Sequence, residues 1–271
     1  MIWEQDQTPS FARRRLRQKP LTFSILKVCL LRIVRTAYPA FMPLPKNEYT
    51  RLDEDGYLAL EGIVDPRHVA RMRMRLEMLL AGTPQDHAGT LIVSGLLKED
   101  VFDAAWNHPR VLEAVRHLLG PDPRLLGFAS RGLRPGHGQQ ALHVDWGGQG
   151  VPSVWYACHA ICALVDFTPQ NGATRVVPGS HRNPWMLRGL TDPRKPHPAE
   201  KRLTGSAGTV FLLNIHCGHS AVHNASNEPR LALMANFSRR DSPLVMMNPA
   251  PDPAPEVLAR HTPEIQRLLT S

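Results

Sequence analysis

From Leu125 onward the chain is cut into short apolar runs by turns that carry glycine and proline, and this spacing leaves little room for any fold that is not β-rich. The runs are Leu125 to Leu133, Ala141 to Trp146, Val154 to Phe167, Thr174 to Val177, Thr209 to Ile215 and Leu231 to Phe237. Runs of this length, bounded by turn residues, read as strands. The 25 prolines and 19 glycines also work against long helices. Several such strands with few later helices predict an all-β sandwich or jelly roll.

The region before Leu125 has a different period. Gly56 to Leu60 reads as a first strand, and Asp65-Pro66 supplies an N-cap with proline at the first helical position. Val69, Met72, Leu76, Leu79 and Leu80 follow at helical spacing up to Gly82, and a second helix runs from Pro109 to Leu119 with Gly120 as its stop. These helices are expected to buttress a sheet. Three regions follow: a basic, partly apolar extension over 1–45, a jelly-roll domain with its helical buttress over 46–245, and a C-terminal tail over 246–271.

Charge separates the extension from the body. Of the formal net charge of +8, residues 1–45 carry +6, from eight basic residues against Glu4 and Asp6. The body is therefore near neutral, which speaks against a broad phosphate-binding face and a nucleic-acid partner. Weak contact with an anionic membrane surface is expected only through residues 12–41. Cys29, Cys158, Cys162 and Cys217 form no C-x-x-C pair, which points to free thiols in a reducing, cytoplasmic setting.

Chemistry concentrates in Ala141-Leu142-His143-Val144-Asp145-Trp146. In an extended strand His143 and Asp145 project to one face. An imidazole and a carboxylate aimed at one point are two corners of a 2-His-1-carboxylate site for iron or manganese. The third ligand has to come from a distant strand. Residues 214–230 offer His216, His219 and His223, and spacing alone does not choose among them. A keto-acid cosubstrate would also need a cation for its far carboxylate, and Arg230, just before the run Leu231 to Phe237, is the candidate.

Three phrases together resemble the phytanoyl-CoA dioxygenase-like Fe(II)/2-oxoglutarate oxygenases. They are Gln140 to Trp146, Asn171 to His181 with its Pro178-Gly179-Ser180-His181 ending, and His219-Ser220 followed by Asn224 and Arg230. In that family the distal histidine lies eleven residues before the 2-oxoglutarate arginine, as His219 does before Arg230. The resemblance covers about Tyr49 to Phe237. It implies a double-stranded β-helix (jelly roll, cupin-like) in which His143, Asp145 and His219 bind Fe(II) and Arg230 pairs with 2-oxoglutarate. Gln140, Thr174 and Ser220 are implied as further cosubstrate contacts.

The implied activity is an O2-dependent oxidation of a small molecule with release of succinate and CO2, with hydroxylation as the default and desaturation, epoxidation or ring rearrangement left open. Asp145 stands where related halogenases carry a small residue, so halogenation is not expected. The rival reading is a jelly-roll metal protein, an isomerase or binding module, that uses no 2-oxoglutarate. Substrate contacts are expected from loops 85–100, 147–155 and 183–205, where Arg188, Arg194, Lys195 and His197 hint at an anionic substrate.

Overall fold

The computed structural model describes residues 42–82, 89–145, 154–243 and 252–271. The N-terminal extension through residue 41, and with it the membrane-surface expectation, lies outside them, as does Trp146. Among the described residues no helix is long and apolar enough to cross a membrane.

The helices form where their caps and periods place them. α1 spans Lys46–Asp55, α2 Pro66–Ala81 and α3 Pro109–Leu119. At the start of α2 the Asp65 carboxylate accepts from the N–H groups of Arg67 and His68, both at 3.0 Å. That satisfies two of the donors a helix start leaves open. α3 is capped by His108, whose Nδ1 accepts from Arg110 N–H at 3.2 Å. Val69, Met72 and Leu76 of α2, and Val111, Leu112, Val115, Leu118 and Leu119 of α3, are buried. α1 carries Leu52 as its only buried residue, too few for its apolar period to be seen in the sequence.

The strands are β1 (Tyr57–Leu60), β2 (Thr90–Leu91), β3 (Pro123–Ser130), β4 (Gly132–Leu133), β5 (Ala157–Ala163), β6 (Arg175–Val176), β7 (Lys201–Arg202), β8 (Val210–Asn214), β9 (His219–Ser220) and β10 (Ala232–Arg239). An antiparallel sheet has the order β1-β8-β5-β10-β3, and a second, smaller one the order β7-β6-β9. One face of the large sheet sends Leu58, Leu60, Cys158, Ala160, Cys162, Val210, Leu212, Leu233 and Phe237 against the helices. The opposite face sends Ile161, Ala163, Phe211, Leu213 and Ala232 into a second core with Phe167, Val176 and Leu203. Alternation along each strand thus fills two layers and yields the jelly roll with its helical buttress. Burying each large side chain contributes roughly 1.5–3 kcal/mol.

Two expectations change. The described part of the expected strand, Ala141 to Asp145, is not regular: His143 forms an isolated bridge to His219, while the Leu142 N–H leaves the ladder for Pro193 O at 2.7 Å. The C-terminal segment is no mere tail. It forms α4 (Pro255–Ala259) and α5 (Pro263–Leu269), and Val257, Leu268 and Leu269 join the helix-side core. Arg260 fixes it with a two-bonded ion pair to Asp103 at 2.8 and 3.0 Å.

Candidate active site

Hydrogen bonds between two distant segments set His143 and His219 face to face. His143 N–H donates to His219 O at 3.0 Å, and His219 N–H returns the bond to His143 O at 2.8 Å. Gln140 N–H to Ala221 O at 3.1 Å and Asp145 N–H to Ile215 O at 3.2 Å extend the contact on either side. Directly opposed residues of an antiparallel pair project to the same face. Their rings accordingly lie 4.7 Å apart.

Asp145, two residues after His143, completes the cluster. Its Oδ1 is 3.3 Å from His143 Nε2 and its Oδ2 3.7 Å from His219 Nε2. One donor atom from each of the three residues lies within 4.8 Å of the others, and no other triad among the described residues does this.

The electrostatics suit a divalent ion. His143 Nδ1 is 2.8 Å from Ala141 O, and His219 Nδ1 is 2.9 Å from Cys217 O. A carbonyl only accepts, so each Nδ1 carries a proton and the Nε2 lone pairs are left for a metal. Burial pushes His219 down to about 4, while the hydrogen bond to Asp145 raises His143. Partial burial opposes charge on Asp145, but hydrogen bonds to His143 and His159 outweigh it and hold the carboxyl well below the usual range. One ionised carboxylate and two imidazoles fit a first-row divalent cation with positions to spare.

Two residues before β10 stands a buried cation. Arg230 is 4% exposed, and burial pushes its guanidinium down to about 10, so it stays charged at neutral pH. Its carbon end sits 4.9 Å over the Phe167 ring, and Nη2 donates only to Arg131 O at 3.3 Å. Nε is buried without an acceptor, and no carboxylate among the described residues pairs with it. Asn224 shapes the turn that delivers it: Nδ2 donates to Glu228 O at 2.9 Å while Oδ1 accepts from Ser226 N–H at 3.0 Å. An uncompensated buried cation is costly unless an anion arrives.

Residues 52–232 match the family described as phytanoyl-CoA dioxygenase (PhyH). This chain belongs to that family. Dioxygenase FUM3 of Gibberella moniliformis is 27% identical over 218 residues, covering 68% of this chain and 70% of that protein. The ectoine dioxygenase of Sphingopyxis alaskensis is 24% identical over 264 residues, covering 81% and 85%. HygX from Streptomyces hygroscopicus, solved with nickel and 2-oxoglutarate bound, shares the fold at a TM-score of 0.61 and 20% identity, covering 74% of this chain and 89% of that one. The protein is a non-heme Fe(II)/2-oxoglutarate-dependent dioxygenase.

Within this PhyH-family dioxygenase the other two histidines of 214–230 take different places. His216 is buried against Trp155, and its Nε2 accepts from Tyr156 N–H at 3.2 Å. His223 is exposed. His181 is a fixed turn residue, with Nε2 3.1 Å from Asp53 O.

The further cosubstrate candidates divide. Thr174 is buried one residue before β6, and alternation from Val176, which lies opposite His219, turns it to the His219 face. Gln140 is exposed, and its Oε1 accepts from Ala221 N–H at 3.0 Å. Ser220 points away from His219, as the residue after a ligand on a strand must. Its Oγ accepts from Arg175 Nε at 2.6 Å. Arg175, 1% exposed, also binds Lys195 O and Pro193 O, both at 2.6 Å, and Glu200 at 3.0 Å, so it ties loop 193–200 to the ligand strands.

In the 183–205 loop Arg188 stacks on Trp185 at 3.6 Å, and His197 Nε2 is 2.9 Å from Met186 O. These contacts engage both residues within the loop itself. Sequence reasoning missed His159, whose Nε2 is 2.7 Å from Asp145 Oδ2. Its only signal was a histidine at an inward position of an apolar strand.

Proposed function

We propose that this dioxygenase hydroxylates a small-molecule substrate, with His143, Asp145 and His219 holding Fe(II) and Arg230 holding the far carboxylate of 2-oxoglutarate. Bound there, iron and cosubstrate supply an oxidation in which O2 and 2-oxoglutarate become succinate, CO2 and the oxygen atom inserted into a substrate C–H bond.

The protein's own part is positional and electrostatic. Ala141 O and Cys217 O fix the tautomers that turn both Nε2 lone pairs inward. Asp145 contributes one negative charge at neutral pH, so the ion keeps a net charge that favours an anionic chelator. Arg230 orients that chelator through a planar, two-pronged pairing. Phe167, stacked on Phe211 at 5.6 Å, presents an apolar wall beneath the guanidinium and keeps water from it. Thr174, on the His219 face, supports the same end of the site. Cys158, Cys162 and Cys217 are free and buried, which supports a reducing compartment such as the cytoplasm.

The observation that carries this reading is the unpaired buried cation at Arg230. A metal-binding jelly roll without a cosubstrate would have no use for it. Succinate release from 2-oxoglutarate, measured with Fe(II) in the presence and absence of O2, tests the reading. Formation of succinate that requires both is expected. Tight metal binding without any such turnover would favour the non-oxygenase alternative.

A further inference from the structure

His159 stands outside the three metal-ligand candidates and outside the cosubstrate set. β5 turns Cys158, Ala160 and Cys162 toward the helices and His159, Ile161 and Ala163 to the inner face. Across the sheet His159 is registered with Leu213 on β8 and Asn236 on β10. An imidazole on a largely apolar inner face needs hydrogen-bond partners to offset its desolvation. His159 has one, the Asp145 carboxylate at 2.7 Å, and its Nδ1 is buried with no partner. Because a carboxylate ion only accepts, Nε2 of His159 is the donor. Asp145 Oδ2 accepts that hydrogen bond, whereas Oδ1 is the oxygen nearer His143 Nε2, at 3.3 Å.

We propose that His159 is a positioning residue: its Nε2–H captures Asp145 Oδ2 and fixes the rotation of the carboxylate, so that Asp145 meets the metal through Oδ1 alone. A carboxylate free to turn could take the ion through both oxygens and occupy a coordination position that cosubstrate or O2 needs. His159 prevents this from the sheet side, on a strand held by neighbours on both edges. The inference rests on the reading of His143, Asp145 and His219 as the metal site. Partners of this kind typically change metal affinity about 10–100-fold when removed.

The test is Co(II) binding to the full-length apo-protein, followed by its visible d–d bands. His159→Met fills the space without a donor, and His159→Gln restores an N–H of comparable reach. The expected result is a Co(II) Kd raised about 10–100-fold with shifted bands in the Met variant. The Gln variant is expected to return to within about threefold of wild type. Thermal melts separate this from a fold effect, since a merely structural role would lower the melting temperature and leave the Kd of the folded protein unchanged. Should His159→Met not fold, His159→Ala with the same readout takes its place.

Unchanged Kd and bands in the variant lacking a donor would overturn the inference while leaving the triad intact. Loss in the Met and Gln variants alike would overturn it in a different way, by making His159 a ligand. Wild-type protein that fails to bind Co(II), or a His219→Ala variant that binds it as tightly, would bring down the triad reading and the inference together.

Discussion

The Arg230 guanidinium lies 4.9 Å over the Phe167 ring, with Nε buried and without an acceptor. A cation in that setting is held by an aromatic face and one backbone carbonyl, which is less than its desolvation requires. The arrangement is therefore poised for an anion to complete it.

Removing that cation should separate cosubstrate affinity from stability. Arg230→Leu is expected to raise the 2-oxoglutarate Kd at least 100-fold, the scale of a lost buried charge pair. Arg230→Lys should fall between, because a point charge replaces a planar fork. The same Leu variant should leave the apo-protein as stable as wild type or more so, since it removes an unpaired buried charge. Anaerobic calorimetric titration with Ni(II) in place of iron, together with chemical denaturation, checks both.

Ser220 and Arg175 call for the opposite pattern. Ser220→Ala removes an acceptor for Arg175 and should cost about 1 kcal/mol of stability while leaving the 2-oxoglutarate Kd within about twofold. Arg175→Met leaves the carbonyls of Pro193 and Lys195 without this donor, while Glu200 keeps Arg202 and His197 N–H, and should destabilise the protein by about 1–3 kcal/mol for each carbonyl left unsatisfied. Urea denaturation of the two variants distinguishes a structural hub from a cosubstrate contact.

Much of this site was legible because strand alternation and chain spacing act locally. The His-x-Asp pair followed from the two-residue period, and the cap at Asp65 followed from turn chemistry, whereas His108 as the cap of α3 was not foreseen. Choosing His219 over His216 and His223 needed the family's eleven-residue interval to Arg230, because spacing within 214–230 alone does not decide. Ser220 follows a ligand candidate on β9 and so takes the opposite face, where its Oγ accepts from Arg175, a placement that a family phrase does not reveal. His159 was hidden because its meaning depends on β5 lying beside the ligand segment, a long-range fact that no local pattern contains. The helices α4 and α5 were missed because five and seven residues hold too few apolar positions to establish a period.

Acid should weaken the apo-protein between about pH 6.5 and 4. Burial pushes His108 and His216 down to about 4, and each ring nitrogen accepts a backbone N–H that a proton would displace. Both are neutral in either state above pH 6.5. As pH falls from 6.5 toward 4 the unfolded chain binds the protons first, so stability declines. Partial solvent contact moderates the loss to roughly 1–2 kcal/mol per histidine at pH 5. His108→Asn, which keeps a capping acceptor that does not titrate in this range, should flatten the slope measured by denaturation at pH 7 and pH 5.

The most direct measurement is anaerobic addition of Fe(II) and 2-oxoglutarate to the apo-protein, watching for the weak visible metal-to-ligand charge-transfer band. Wild type should develop it. His219→Ala should not, His223→Ala should match wild type, and Arg230→Leu should need far more 2-oxoglutarate. A band that survives His219→Ala, or metal binding in wild type with no band at any 2-oxoglutarate concentration, would contradict the account.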